Sequence, residues 1–313
     1  MKTNEHQKLV IAIASSALFD LTESDAVYQE QGEESYRTFQ EAHIDVPFKK
    51  GVAFPFIRRM LQLNTLFGDY KPIEVILLSR NSPETGMRVF RSIQKYGLDI
   101  SRASFFSGTS PYEYLPAYKV SLFLSAHEQD VRSAIAAGHP AGYVLPVQVE
   151  DNEDDMQLRI AFDFDGVLAD DAAEKVYKST HDIQQFHAFE TSQSTIPHNP
   201  GPLKNLLQKI SALQNLEKEM YAHNKTYRKN IQISLITARC SPSHERVIHT
   251  LKNWGVTVEQ AFFLGGEPKR DILQVLKPHI FFDDQISHFS GITDLAMVHI
   301  PFGVANINTN KHV

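Results

Sequence analysis

The chain has 313 residues, 42% hydrophobic and 22% charged, enough apolar material for one large or two medium domains with buried cores. A formal net charge of −6 argues against a surface for nucleic acid polymers, although one local positive pocket for a single phosphate stays open. One cysteine, Cys240, excludes an internal disulfide; no stretch reaches the length of a membrane span, and MKTNEHQKLV lacks the apolar run of a signal peptide, so the expected location is cytoplasmic with no membrane partner.

In chain order, residues 9–14 read as a first buried strand. The span from Val27 to Ile73 carries Tyr28, Tyr36, Phe39 and Phe48, which are expected to pack. A second strand runs to Leu78, and Arg80 and Asn81 then stand at a strand end just before a helix. Residues 122–126 read as a further strand. The acidic run Glu150-Asp151-Asn152-Glu153-Asp154-Asp155 reads as a solvated linker over 150–157, dividing the chain into domains 1–149 and 158–313.

The second half opens on LRIAFDFDGVLADD. Residues 158–162 form a strand of the doubly buried kind, and Asp163 and Asp165, two positions apart, point the same way off its carboxyl end. Two like charges this close call for a hard divalent cation such as Mg²⁺. Gly166 lets the chain turn away. After the breaker Pro200-Gly201-Pro202, Leu203, Leu206, Leu207, Ile210, Leu213 and Leu216 recur at helical spacing. Residues 231–239 form another strand ending near Thr237, with Ser241-Pro242 read as N-cap and first helical residue. Lys269 stands where a loop enters a helix, and His279-Ile280-Phe281-Phe282 runs into Asp283-Asp284. Each of these residues alone reads as a strand-end hydroxyl, a surface lysine or a turn. Together, a D-x-D pair, a threonine, a lysine and a second acid pair in that order describe a site for phosphoryl transfer.

These four motifs resemble those of the haloacid dehalogenase superfamily of phosphohydrolases. The runs LITARCSPSHERVIHTLKNWGV, AFFLGGEPKRDIL and HIFFDDQISH are similar to the cytosolic 5'-nucleotidases of class I and their bacterial relatives, and the likeness extends over nearly the whole chain. The resemblance implies hydrolysis of a nucleoside 5'-monophosphate with Mg²⁺ as cofactor. It implies that Asp163 forms an aspartyl-phosphate, that Asp165 transfers the proton, and that Thr237 and Lys269 hold the phosphoryl group. Asp163, Asp165 through its carbonyl, and Asp283 would hold the metal, with Asp284 supporting them. A cap insert over about 172–230 is implied as well. Candidate contacts to substrate or nucleotide are Arg239, Phe189 and Glu190, with Arg80 and Asn81 in the first half. A sugar-phosphate or small-molecule phosphatase and a nucleotide-binding regulator remain alternatives, and a homo-oligomer is left open.

The halves also align with each other. Residues 11–16 fall on 160–165, so Ala14 and Ser16 stand for Asp163 and Asp165. Leu78 falls on Thr237, Arg80 on Arg239, Phe105 on Phe262, Tyr112 on Lys269, and Ser125-Ala126 on Asp283-Asp284. The expected fold is therefore α/β, with two haloacid dehalogenase-like Rossmannoid lobes from an internal duplication, the first degenerate and the second capped.

Overall fold

A computed structural model describes residues 8–306. The chain divides into two compact units, Met1–Asp151 and Asn152–Val313. In the first, the order is β1 (Leu9–Ile13), α1 (Ser15–Leu18), β2 (Phe19–Asp20), α2 (Thr22–Ala42), β3 (Lys49–Lys50), α3 (Phe54–Leu63), β4 (Ile73–Ser79), α4 (Gly86–Lys95), β5 (Arg102–Phe105), β6 (Leu122–Ser125), α5 (Glu128–Ala136) and β7 (Ala141–Val144). Apart from the antiparallel β2–β3 pair, its strands form a parallel sheet in the order β5-β4-β1-β6-β7. All five residues of β1 are buried, as a central strand covered on both faces requires. Within α2, Gly32 leaves the helical conformation at φ 82°, which breaks the helix in two.

The second unit runs β8 (Leu158–Phe162), α6 (Ala172–Thr180), α7 (Ile183–Ser192), α8 (Lys204–His223), β9 (Ile231–Thr237), α9 (His244–Asn253), β10 (Gln260–Phe263), α10 (Arg270–Leu276), β11 (Ile280–Asp283) and β12 (Met297–His299). Its parallel sheet has the order β10-β9-β8-β11-β12. In each unit the first strand is central, the next two large-sheet strands lie on one side of it and the last two on the other. This is a Rossmann-like arrangement, and its ligand crevice lies at the carboxyl end of the central strand, where the direction of winding reverses.

Several local features differ from the sequence reading. Asp151 is no solvated linker residue: its side chain is 5% exposed and accepts from Arg58 and from the buried Arg59 at 2.6 Å. Burial would raise its carboxyl, but the two guanidiniums outweigh that and hold it below the ordinary range. Helix α9 starts at His244, beyond Ser241-Pro242, whose peptide bond is cis. In α8 the stripe Leu206, Leu207, Ile210 and Leu213 is buried as core, while Leu216 is only partly covered. The same helix buries Glu217, whose carboxylate accepts from the backbone N–H of Asn230 and Ile231 and so sets the entry into β9.

The loop that follows β8 is pinned against the start of α8. Gly201 N–H donates to Leu168 O at 2.8 Å and Leu203 N–H to Val167 O at 2.9 Å. A Cβ on Gly201 would come within 2.4 Å of Ala169 O, a backbone atom with no freedom to yield. Gly201→Ala is therefore expected to destabilise the protein by about 1–3 kcal/mol, read as a lower midpoint in urea unfolding.

Candidate active site

The site is built where β8, β9 and β11 end. Asp163 follows β8, anchored by its N–H to Phe282 O at 2.8 Å, and its Oδ1 accepts from the Phe164 N–H at 2.7 Å. Asp283 is the last residue of β11 and fully buried, with Oδ1 accepting from Gln285 N–H at 2.9 Å. Lys269, at the N-cap of α10, sends its ammonium between them, 3.0 Å from Asp163 Oδ2 and 2.7 Å from Asp283 Oδ2. The sequence reading thus named three residues that the fold brings into direct contact.

Electrostatics follow from this crowding. Burial pushes the Asp163 carboxyl up to about 7; Lys269 opposes this, while Asp283 and Asp165 reinforce it. Burial acts the same way on Asp283, but there Lys269 and His288 prevail and hold it below its ordinary value. Lys269 would lose its proton more easily through burial, yet Asp163 and Asp283 keep its affinity for that proton raised. At Asp284 the pull of Lys269 is outweighed. Asp284 is 1% exposed, and burial followed by repulsion from Asp163 and Asp283 pushes it up to about 10. Neither of its oxygens meets a hydrogen-bond partner among the described residues. Gly166, at φ +70°, permits this packing, because a Cβ there would lie 2.5 Å from Asp284 Oδ2.

Thr237 ends β9, is buried, and accepts the Arg239 N–H at 3.2 Å, which leaves its hydroxyl proton free to donate. Asp165 is held differently from Asp163. Arg239 grips it through two hydrogen bonds, Nε to Oδ2 and Nη2 to Oδ1, both 2.7 Å. The guanidinium lies near the rings of Phe164 and Phe186, 5.3 and 5.4 Å from their centroids. Its other end, Nη1, donates to Glu190 of α7. Glu190 is 0% exposed, also accepts from Arg246 Nη1 at 2.8 Å, and has His198 Nε2 at 3.2 Å. Burial raises its carboxyl, but His198 and Arg239 outweigh that and bring it down to about 2. Glu190 therefore reaches the strand ends through Arg239, and Phe189 lies against Arg246, 5.7 Å from its guanidinium.

Arg80 and Asn81 belong to the first unit. Arg80 donates to Asp130 Oδ1 at 3.1 Å and to Gly108 O, with His127 alongside. Asn81 accepts from Ser79 and Ser15 and donates to the Tyr36 hydroxyl at 2.9 Å. Cys240 is partly buried, its Sγ 3.9 Å from His187 Nε2.

The residue that sequence reasoning missed is His288. A short 3-10 turn over Ile286–Phe289 brings its Nδ1 within 2.9 Å of both Asp283 oxygens. Asp163, Asp283 and His288 each offer a ligand atom, all within 4.8 Å of one another. The only signal for it was a histidine five residues past the acid that ends β11, a spacing that no regular helix or strand places on one face.

A family model described as 5'-nucleotidase matches residues 1–307. Human cytosolic 5'-nucleotidase 1B is 34% identical over 296 residues, which cover 93% of this chain and 48% of that protein. The chain thus spans about half the length of this curated relative. Among solved structures, a chain from the Pnkp1/Rnl/Hen1 complex aligns over 95% of this chain and 98% of its own at 12% identity, with a TM-score of 0.28, too distant to bear on fold or function. With the family's pattern matched along almost its entire length, this chain belongs to the 5'-nucleotidase family.

Proposed function

We propose that the second unit is a Mg²⁺-dependent phosphomonoesterase that hydrolyses nucleoside 5'-monophosphates to nucleoside and phosphate. The observation that carries this is the Lys269 ammonium wedged between Asp163 and Asp283, beside the Thr237 strand end. The substrate class rests on family membership and on the relative's name. That name supports a cytoplasmic setting; no described helix is long and apolar enough to cross a membrane.

The donor set fits a hard cation. Asp163, Asp283 and Asp284 crowd around a single lysine, and the buried Asp284 carboxyl, without a hydrogen-bond partner among the described residues, ionises only at a high cost unless a cation neutralises it. Asp163, Asp283 and the main-chain carbonyl of Asp165 would hold Mg²⁺, with Asp284 behind them. When bound, the ion would neutralise charge on the phosphate oxygens. Lys269 and the Thr237 hydroxyl hold those oxygens from the protein side. Asp163 attacks phosphorus, and the bond from phosphorus to the 5'-oxygen breaks as that oxygen receives a proton from Asp165, which first takes it up from solvent on an oxygen released from Arg239. Asp165 then takes a proton from water, which attacks phosphorus and releases Asp163. Arg239 holds the Asp165 carboxylate between proton transfers, and Glu190 with Arg246 fixes Arg239. Helices α6 and α7 are the cap elements in this reading, while α8 is core.

We also infer an internal duplication with the first unit degenerate. The two strand orders correspond, and so do specific hydrogen bonds. Gly51 N–H donates to Leu18 O and Gly201 N–H to Leu168 O; Phe48 N–H meets Ser92 Oγ and His198 N–H meets Thr250 Oγ1, both at 3.0 Å; Arg88 Nε meets Val46 O and Arg246 Nε meets Ile196 O, both at 2.9 Å. The strand register moves part of the sequence alignment by one residue. Ile13 lies opposite Leu77 and Phe162 opposite Leu235, so Ser79, not Leu78, corresponds to Thr237, and Asn81, not Arg80, to Arg239. By the same register Phe105 matches Phe263 and Pro111 matches Lys269 in place of Tyr112.

Three outcomes test these readings. Asp163→Asn should lower turnover of AMP by at least about a thousandfold with the thermal midpoint retained; near-normal turnover would place the chemistry elsewhere. Mg²⁺ should raise the thermal midpoint of the chelator-treated protein and fail to raise that of Asp283→Asn, while chelator stops phosphate release by the parent protein. Glu190 has a depressed carboxyl, so its stabilising contribution is full above the ordinary value near 4.5 and is lost as pH falls towards about 2. Glu190→Gln should therefore cost about 3–5 kcal/mol at neutral pH, with the gap to the parent closing on acidification in thermal melts. A gap that stays constant with pH would show that the charge of Glu190 is not what stabilises this network.

A further inference from the structure

The first unit has a cleft of its own at the carboxyl ends of its strands, about 540 Å³ in volume, within the range of small-molecule sites. Its lining differs in kind from the site in the second unit. Ala14, Ser16 and Ala126 offer no carboxylate for a cation, and no lysine lines the cleft. The two arginines are already engaged. Arg80 is held by Asp130, Gly108 and His127, and Arg37 lies 2.9 Å from Glu33 and 3.6 Å from Glu84. With Asp25, Glu33 and Asp130 set against Arg37 and Arg80, the lining carries a net negative charge, which disfavours entry of a phosphate dianion.

What the lining does offer is an aromatic wall, hydroxyls and a carboxylate. Tyr28 and Tyr36 meet edge to face with centroids 5.6 Å apart; Tyr28 is 48% exposed, and the Asn81 amide donating to its hydroxyl anchors Tyr36. A ring system can lie against Tyr28. Ser16 and Ser107 supply hydroxyls suited to heterocycle edges; the Asp25 carboxyl, raised by burial and by Asp20, can accept from the hydroxyls of a ribose diol, as acidic residues do in dinucleotide sites. We propose that this cleft binds a nucleoside, an uncharged heterocycle carrying a ribose diol, in preference to any phosphorylated nucleotide. A free base would leave the carboxylate unused, and a free sugar would leave the tyrosine wall uncovered.

The test reads binding and not turnover, so it stands apart from the hydrolysis reading. Full-length Asp163→Asn protein, free of divalent cations, is titrated calorimetrically with adenosine, adenine, ribose and AMP. Adenosine should bind saturably, with adenine and ribose each weaker by about tenfold or more. Tyr28→Ala should weaken adenosine by about tenfold. Asp25→Asn should also weaken adenosine and narrow its advantage over adenine. Both side chains are exposed, so circular dichroism should show the parent fold in each variant. Any AMP binding that survives Tyr28→Ala unchanged belongs outside this cleft and is consistent with the proposal. Three results would overturn it: no adenosine binding at millimolar concentration, adenosine binding indifferent to both variants, or Tyr28-dependent AMP binding as tight as that of adenosine.

Discussion

The constraint on which the second unit depends is the placing of several carboxylates at the ends of two adjacent parallel strands with one lysine among them. Parallel strands align their carboxyl ends, so Asp163 and Asp283 meet because β8 and β11 pair with Ile280 opposite Ile160. Burial makes each charge costly, and Lys269 balances only part of it. Asp284 beside them has its carboxyl pushed up to about 10 and meets no hydrogen-bond partner among the described residues. Such a site is stable as a container for positive charge and poor as a plain structural element. Its geometry therefore argues for electrostatic catalysis on an anionic substrate more directly than any one residue does.

A second ionic chain lies behind the first. Asp165, Arg239, Glu190 and Arg246 alternate in sign from the strand ends to α7 and α9. An isolated buried arginine or glutamate would be unfavourable, and the alternation removes that penalty at every link. It also ties the position of α7 to the orientation of Asp165. In the proposed reaction, a shift of α7 would be felt at the proton-transfer group through one rigid, doubly hydrogen-bonded guanidinium. Arg239 also lies against the rings of Phe164 and Phe186, which adds packing to its hydrogen bonds.

The strand ends were legible in the sequence because buried parallel strands are continuous apolar runs and their terminal acids stand out against them. LRIAF before Asp163 and IFF before Asp283 needed only that contrast. Lys269 at the start of α10 was legible from the loop that precedes it. What the pattern could not convey was tertiary pairing. Nothing local distinguishes Glu190, fully buried between cations, from a solvated helix glutamate, and nothing marks Asp151 as the partner of Arg59 inside an acidic run. His288 lies on an irregular turn that carries no periodicity. The one-residue slip at Ser79 has a simpler cause: apolar strands look alike when shifted, and only the hydrogen-bonded register with β1 separates Leu78 in the core from the hydroxyl beside it.

That corrected register changes the energetic reading of the first unit. On the duplication, the match of Leu18 with Leu168 puts Ser15, not Ser16, at Asp165, while Asn81 stands for Arg239 and Gln40 for Glu190; Arg88 keeps the place of Arg246 and still donates to Gln40 Oε1 at 3.2 Å. Loss of Asp165 alone would have left a buried guanidinium with half its partners, and loss of Arg239 alone would have left two carboxylates facing each other; either costs several kcal/mol. Replacing all three by neutral groups of hydrogen-bonding shape avoids both penalties. The neutral set rebuilds a local network in which Asn81 accepts from Ser15 and Ser79 and donates to Tyr36. On the duplication, charge is thus lost together at three of the four positions of the ionic chain, and the retained Arg88 is accommodated by neutral acceptors, Val46 O and Gln40 Oε1.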